Sequence, residues 1–142
     1  MKAIAINGSP RKGWNTDMIL QAALKGAADA GAEVEIIHLY DLNFTGCKSC
    51  FACKLKGAET CKCFLKDDLS PVLDKILSAD AVFFGTPIYF GEITSQMHAL
   101  IERLNFILMT YDDYTKKLFH GKVNTACFYT MNVWQEGFEK MY

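Results

Sequence analysis

One short run, Ala81-Val-Phe-Phe-Gly85, constrains the fold more than any other feature. A strand that is apolar on both faces must be covered on both, which is the condition of a parallel sheet with helices above and below. The segments around it supply the covering helices. Asp17–Ala30 places Ile19, Leu20, Ala23, Leu24 and Ala27 on one helical face, with Gly31 as a stop. Leu69–Leu77 reads as a second helix, with Ser70 as N-cap and Pro71 at the first helical position. Thr94–Met109 reads as a third, with Met97, Leu100, Ile101, Leu104 and Leu108 at helical spacing. Further strands are predicted at Lys2–Asn7, Val34–Leu39 and Val123–Thr130, and Trp134–Tyr142 reads as the start of another helix. This alternation predicts a single α/β domain over residues 1–142, built on an open, doubly wound parallel sheet.

Composition narrows the partners. The formal net charge is -1 and no long single-sign block occurs, so nucleic acid and anionic membrane are excluded on electrostatic grounds. Apolar stretches fall well short of the roughly 18–20 residues of a membrane span. The N-terminus turns polar at Asn7, too early for a secretory signal, so a cytoplasmic location is expected. Five of the six cysteines, Cys47, Cys50, Cys53, Cys61 and Cys63, fall within the irregular segment Asp41–Lys66. A local cluster of this kind points to metal, iron–sulfur or thiol redox chemistry rather than to a disulfide framework. Cys127, between Ala126 and Phe128 in a strand, is expected in the core. His38, His98 and His120 lie far apart, and no Ser-His-Asp or paired-carboxylate arrangement is present, so no catalytic side chain is assigned.

Open α/β sheets bind ligands beyond the carboxyl ends of their strands. That rule selects the loops Gly8–Thr16, Thr86–Ile93 and Thr130–Val133. In the first, Gly8 and Gly13 allow tight turns, Ser9, Asn15 and Thr16 offer donors, and Arg11 and Lys12 offer positive charge just before a helix N-terminus. Together these suit a phosphate monoester. Neither the triphosphatase P-loop nor the Gly-x-Gly-x-x-Gly fingerprint is present. An ordinary turn capped by Asn15 or Thr16 would use the same residues. In the second loop, Pro87 stiffens the strand exit, Ile88, Tyr89 and Phe90 offer apolar surface for a planar ring, and Gly91 permits close backbone approach. The same aromatics could instead cover the core. In the third, Thr130 and Asn132 could reach a ring or its side chain, or simply form a turn.

Gly8-Ser9-Pro10-Arg11 with Asn15-Thr16, followed by Gly85-Thr86-Pro87-Ile88-Tyr89-Phe90-Gly91, resembles the NADPH-dependent FMN reductase family over essentially the whole chain. The resemblance implies a flavodoxin-like sheet of order 2-1-3-4-5, of which only four strands can be found; the last strand and helix are expected to be missing from this chain. It implies FMN as cofactor, with Ser9, Arg11, Lys12, Asn15 and Thr16 at the phosphate and Pro87 to Gly91 along the ring. It also implies NAD(P)H as donor and a quinone, free flavin or other small molecule as acceptor. Surplus apolar surface on the Thr94–Met109 helix adds the expectation of a homodimer or homotetramer.

Cys47-Lys-Ser-Cys50-Phe-Ala-Cys53 spaces three thiolates as a cubane requires. It resembles the iron–sulfur flavoproteins, which complete a [4Fe–4S] site with a fourth cysteine close by. Here the fourth is Cys61 or Cys63. Three readings stand: a [4Fe–4S] cluster, a cluster-free set of buried or redox-active thiols, and a four-thiolate zinc site.

Overall fold

The structure is a computed structural model that describes residues 1–110 and 118–132. Chain order is β1 (Lys2–Asn7), α1 (Asn15–Asp29), β2 (Glu33–His38), α2 (Leu69–Ser78), β3 (Ala81–Pro87), α3 (Ser95–Leu108) and β4 (Asn124–Thr130). Two single turns of 3-10 helix, Leu39–Asp41 and Ala52–Lys54, interrupt the irregular stretch between β2 and α2.

The strands form one sheet of order β2-β1-β3-β4, and every pairing is parallel. β1 and β3 are central, which is why Ile4, Ala5, Ile6 and Val82 have no exposed surface. One face carries Ile4, Ile6 and Val82 against Leu73 and Ile76 of α2 and Met97 and Leu100 of α3. The other carries Ala5, Phe83 and Phe128 against Leu20 and Leu24 of α1. Each fully buried Leu or Ile contributes about 1.5–3 kcal/mol through the water it leaves. The sheet is the flavodoxin-like one expected, with strands 2-1-3-4 among the described residues. The expected helix Trp134–Tyr142 lies outside them.

Several local expectations are corrected. β3 runs on through Thr86 and Pro87, because both pair with β4 at Tyr129 and Thr130. The N-cap of α1 is Trp14, without a side-chain cap bond, and Asn15 and Thr16 are already helical. α2 is entered from Asp68, so Ser70 and Pro71 fall two positions deeper than expected. Pro71 still sits in the first turn, where a missing N–H costs nothing. α3 is capped by Thr94, whose Oγ1 accepts from the Met97 N–H. On α1 the buried line is Leu20 and Leu24, while Ile19 is 38% exposed at its edge. Cys127 is exposed, not core. It sits beside Phe84 on the face that α2 and α3 cover, and at β4 no described segment reaches over it.

Candidate functional site

In the order β2-β1-β3-β4, the chain leaving β1 turns to β2 on one side and the chain leaving β3 turns toward β4 on the other, so a crevice opens between β1 and β3 where the connections diverge. A cavity of about 380 Å³ lies there. The loop after β1 contributes Ser9, Arg11, Trp14, Asn15 and Thr16. The loop after β3 contributes Pro87, Ile88, Tyr89, Phe90 and Gly91, and the end of β4 contributes Thr130, Met131 and Asn132. The structure therefore brings eleven of the twelve sequence-derived candidates to one cavity. Lys12 is the exception: it pairs with Asp41 at 2.5 Å on the surface.

The first loop is held from beneath by residues the sequence reading missed. Asn7 is fully buried at the end of β1; its Oδ1 accepts from the Ser9 N–H at 2.8 Å, and its Nδ2 donates to Asp17 Oδ1 at 2.9 Å. Asp17, 2% exposed, also accepts from the Gly13 N–H at 2.6 Å and from Gln21 Nε2 at 2.9 Å. His38 Nε2 lies 3.8 Å from the same carboxylate. Asp17 thus shapes the loop although its negative charge suits no phosphate. A carboxylate in the first turn of a helix was the only available signal, and that position is common enough to say nothing of a loop. Gly8 lies where a Cβ would come within 3.0 Å of Met97 and 3.3 Å of the Gly85 carbonyl. Its N–H donates to Gly85 O at 2.7 Å, and its carbonyl accepts from Thr94 Oγ1 at 2.8 Å. The loop is therefore tied to β3 and to the start of α3. Above these ties the Arg11 guanidinium lies over the Trp14 ring, 5.3 Å from its centroid.

The second loop is a tight reversal. Tyr89 and Glu92 exchange N–H···O bonds of 2.8 and 3.1 Å, and the central residues Phe90 and Gly91 have φ of 54° and 84°. Two positive φ values across such a pair define a type I′ turn, which suits Gly91 and strains Phe90. The Phe90 side chain stands fully out in solvent at the cavity rim. The third loop is joined to both others: the Ile88 N–H donates to Thr130 O at 2.8 Å, and Thr16 Oγ1 and Thr130 Oγ1 share a hydrogen bond of 2.7 Å.

The cysteine segment forms a second, smaller cavity on the α3 side. Cys47, Cys50, Cys53 and Cys63 line it together with Arg103 and Phe106; Cys61 does not. All six cysteines are free thiols. Ser49 and Phe51, with φ of 48° and 57°, turn the backbone on either side of Cys50, which lets the three-cysteine run curl around the cavity. Burial pushes the Cys53 and Cys61 thiols above their ordinary value, with the Lys54 charge pulling the other way. Thiols raised in this way are protonated at neutral pH and are weak nucleophiles. Among the described residues, no three His, Cys, Asp or Glu side chains converge closely enough to hold a metal ion in this arrangement.

Arg103 dominates this region and was not singled out in the sequence. It sits mid-helix among apolar residues at helical spacing, so α3 reads as a plain amphipathic helix. It is 1% exposed. Its Nη1 donates to Asp67 and to Thr45 O, and its Nη2 donates to Ser70 Oγ at 3.1 Å and to Cys63 Sγ at 3.3 Å. Among the described residues its Nε is buried without a partner. Burial opposes the charged form of Asp67, but the Arg103 guanidinium and the Thr45 and Leu69 N–H groups outweigh it and hold the carboxyl below its ordinary value.

Fold and crevice together describe a flavodoxin-like domain in which a donor-rich, cationic loop faces a partly aromatic wall. The chain belongs to the NADPH-dependent FMN reductase family, whose family model matches residues 1–135. Similar curated relatives are an iron–sulfur flavoprotein of Archaeoglobus fulgidus, 47% identical over 72% of this chain and 48% of its own length, and one of Methanocaldococcus jannaschii, 39% identical over 72% and 51%. The chain thus spans about half the length of these relatives. Among solved structures, the NAD(P)H:quinone oxidoreductase of Methanothermobacter marburgensis superposes with a TM-score of 0.71 over 99% of this chain and 70% of its own; at 18% identity the likeness is one of fold. No helix among the described residues is long and apolar enough to cross a membrane.

Proposed function

We propose that this chain is the FMN-binding part of an oxidoreductase that takes electrons from NAD(P)H and passes them to a quinone, free flavin or other small acceptor. The observation that carries the reading is the single crevice in which a donor-rich, cationic loop at a helix N-terminus faces an apolar, partly aromatic wall. In this reading Ser9, Arg11, Asn15 and Thr16 hold the phosphate, helped by the unpaired N–H groups of the first turn of α1. Lys12, tied to Asp41, adds only longer-range positive charge. Pro87, Ile88, Tyr89, Phe90 and Gly91 lie along the ring, and Thr130 and Asn132 meet its edge or side chain. Bound FMN would supply the redox chemistry itself, and the protein's task is to hold and orient it and to control access of water. Exposed Trp14 and Phe90 at the crevice support a homodimer or homotetramer.

A second reading, an iron–sulfur flavoprotein built for electron transfer, is favoured by the second cavity. Four cysteines there share one small space with a buried, incompletely bonded guanidinium, a donor set of the chemistry an anionic metal–sulfur centre requires. Cys47, Cys50 and Cys53 with Cys61 or Cys63 would hold a [4Fe–4S] group, which would supply a one-electron relay. Loading it requires a rearrangement, since among the described residues no three of these side chains converge closely enough to hold a metal ion.

The test is an absorption spectrum of protein purified without air, with flavin and iron quantified on the same sample. Flavin without iron supports the first reading alone, and flavin with iron in proportion supports the second. Colourless protein that refuses added FMN overturns both.

A further inference from the structure

We propose that Asp17 is the positioning residue of the first loop: it clamps both ends of residues 9–13, and so sets how strongly the crevice prefers a phosphorylated flavin to the same flavin without its phosphate. The inference rests on the reading above in which this loop takes the FMN phosphate. The Asp17 side chain is buried and accepts three hydrogen bonds: Oδ1 from Asn7 Nδ2 at 2.9 Å, and Oδ2 from the Gly13 N–H at 2.6 Å and Gln21 Nε2 at 2.9 Å. Asn7, without exposed surface, passes the constraint on by accepting from the Ser9 N–H at 2.8 Å. Between the two tied ends, the Arg11 N–H donates to Ser9 Oγ at 3.1 Å, and the Arg11 guanidinium lies over Trp14. Arg11 therefore projects from a segment that is fixed before any ligand arrives, and a preformed site spends less of its binding energy on ordering.

A negative charge beneath an anion site opposes the anion, so the place of a carboxylate there is explained by what it holds. Asparagine cannot hold the same groups, because it offers one oxygen and one NH2. With its oxygen toward Gly13 and Gln21, its NH2 faces the NH2 of Asn7. Turning Asn7 over in answer takes the acceptor away from the Ser9 N–H. One end of the loop is released either way. Exchanging the two residues, Asn7→Asp with Asp17→Asn, remakes every bond: the carboxylate at position 7 accepts from Ser9 and from the amide at position 17, whose oxygen meets Gly13 and Gln21.

FMN and riboflavin are each titrated by fluorescence into flavin-free whole protein, as wild type, Asp17→Asn, the exchanged pair and Arg11→Ala. Asp17→Asn is expected to lower the ratio of FMN to riboflavin affinity by about tenfold, the scale of one charge-assisted hydrogen bond, with riboflavin binding kept, and the exchanged pair to recover the ratio. A merely structural role would weaken both flavins alike. A ratio that Asp17→Asn leaves unmoved while Arg11→Ala lowers it, or an equal loss of both flavins, overturns the proposal. Where Asp17→Asn does not fold, amide hydrogen exchange in the flavin-free wild type decides: the Ser9 and Gly13 N–H groups are expected to be slowed by about tenfold or more against an unbonded amide, and free exchange at Gly13 overturns the clamp. Equal affinity of the wild type for FMN and riboflavin, or a ratio that Arg11→Ala leaves unchanged, overturns the phosphate reading itself, an outcome distinct from the others.

Discussion

Gly85→Ala offers a clean test of how the sheet positions the crevice. Gly85 is buried in β3, directly beneath the first loop, and its carbonyl accepts from the Gly8 N–H at 2.7 Å. Its backbone is ordinary strand, so an added methyl meets no dihedral penalty. It meets Leu20 instead: the new Cβ would lie 2.6 Å from Cδ1, 2.7 Å from Cγ and 2.9 Å from Cδ2. Real contacts between such atoms begin near 3.5 Å, so roughly 0.6–0.9 Å must be found. Leu20 has no exposed surface and cannot swing into solvent. Either it leaves its rotamer or α1 lifts from the sheet, and overpacking of this kind costs about 1–3 kcal/mol. Alanine returns about 0.4–1 kcal/mol by restricting the unfolded chain. The net expectation is a loss of about 1–2 kcal/mol, which for a domain of this size lowers Tm by roughly 4–10 °C.

Urea unfolding with an unchanged slope is the assay. The decisive control is the double-mutant cycle with Leu20→Ala, which removes every atom the methyl strikes. Leu20→Ala alone should cost about 2–5 kcal/mol, and in that background Gly85→Ala should become neutral or favourable. A Gly85→Ala protein as stable as wild type, or costs that simply add, would refute the reasoning. Because α1 carries Asn15 and Thr16, the single variant should also weaken FMN binding.

Other expectations follow from particular contacts. Arg11→Ala should weaken FMN binding by about 1.5–3 kcal/mol, the scale of a lost charge-assisted hydrogen bond; a fluorescence titration with unchanged affinity would remove Arg11 from the phosphate site. Phe90→Asn should raise stability by about 0.5–1 kcal/mol, since the φ of 54° suits Asn and the fully exposed ring loses no burial. The same variant should loosen FMN, and a loss of stability would count against the strained turn. The Asp67 carboxyl titrates below its ordinary value in the folded protein, so its pairing with Arg103 contributes fully above the unfolded value of about 4 and is lost as pH falls through the folded one. Stability curves should therefore fall between about pH 5 and pH 2, and Asp67→Asn, less stable at neutral pH, should show a flatter acid limb in the same unfolding assay.

The apolar run of β3 was sufficient to announce a parallel sheet covered on both sides, because no other common arrangement buries both faces of a strand. Gly8 to Thr16 and Pro87 to Gly91 announced the crevice for a related reason: turn residues, donors and a helix start are local features, and strand ends meet by rule in an open α/β sheet. Of twelve candidates assigned to one place from the sequence, eleven, separated by up to 123 positions (Ser9 to Asn132), do line one cavity, and Lys12 does not.

What stayed hidden depends on partners distant in sequence. Asp17 reads as a helix-start carboxylate until Asn7 and Gly13 close around it. Arg103 reads as one polar residue on an amphipathic helix until Thr45, Cys63, Asp67 and Ser70 meet its guanidinium from 33 to 58 residues away. Cys127 reads as core because strand residues between apolar neighbours usually are, and only the reach of α2 and α3 decides that, among the described residues, this face of β4 is left open. Likewise the spacing left Cys61 and Cys63 equivalent. Only the fold puts Cys63 in the lining beside Arg103 and leaves Cys61 out of it, since a desolvated cation takes whichever acceptor the folded chain brings within reach, and that is a property of three dimensions.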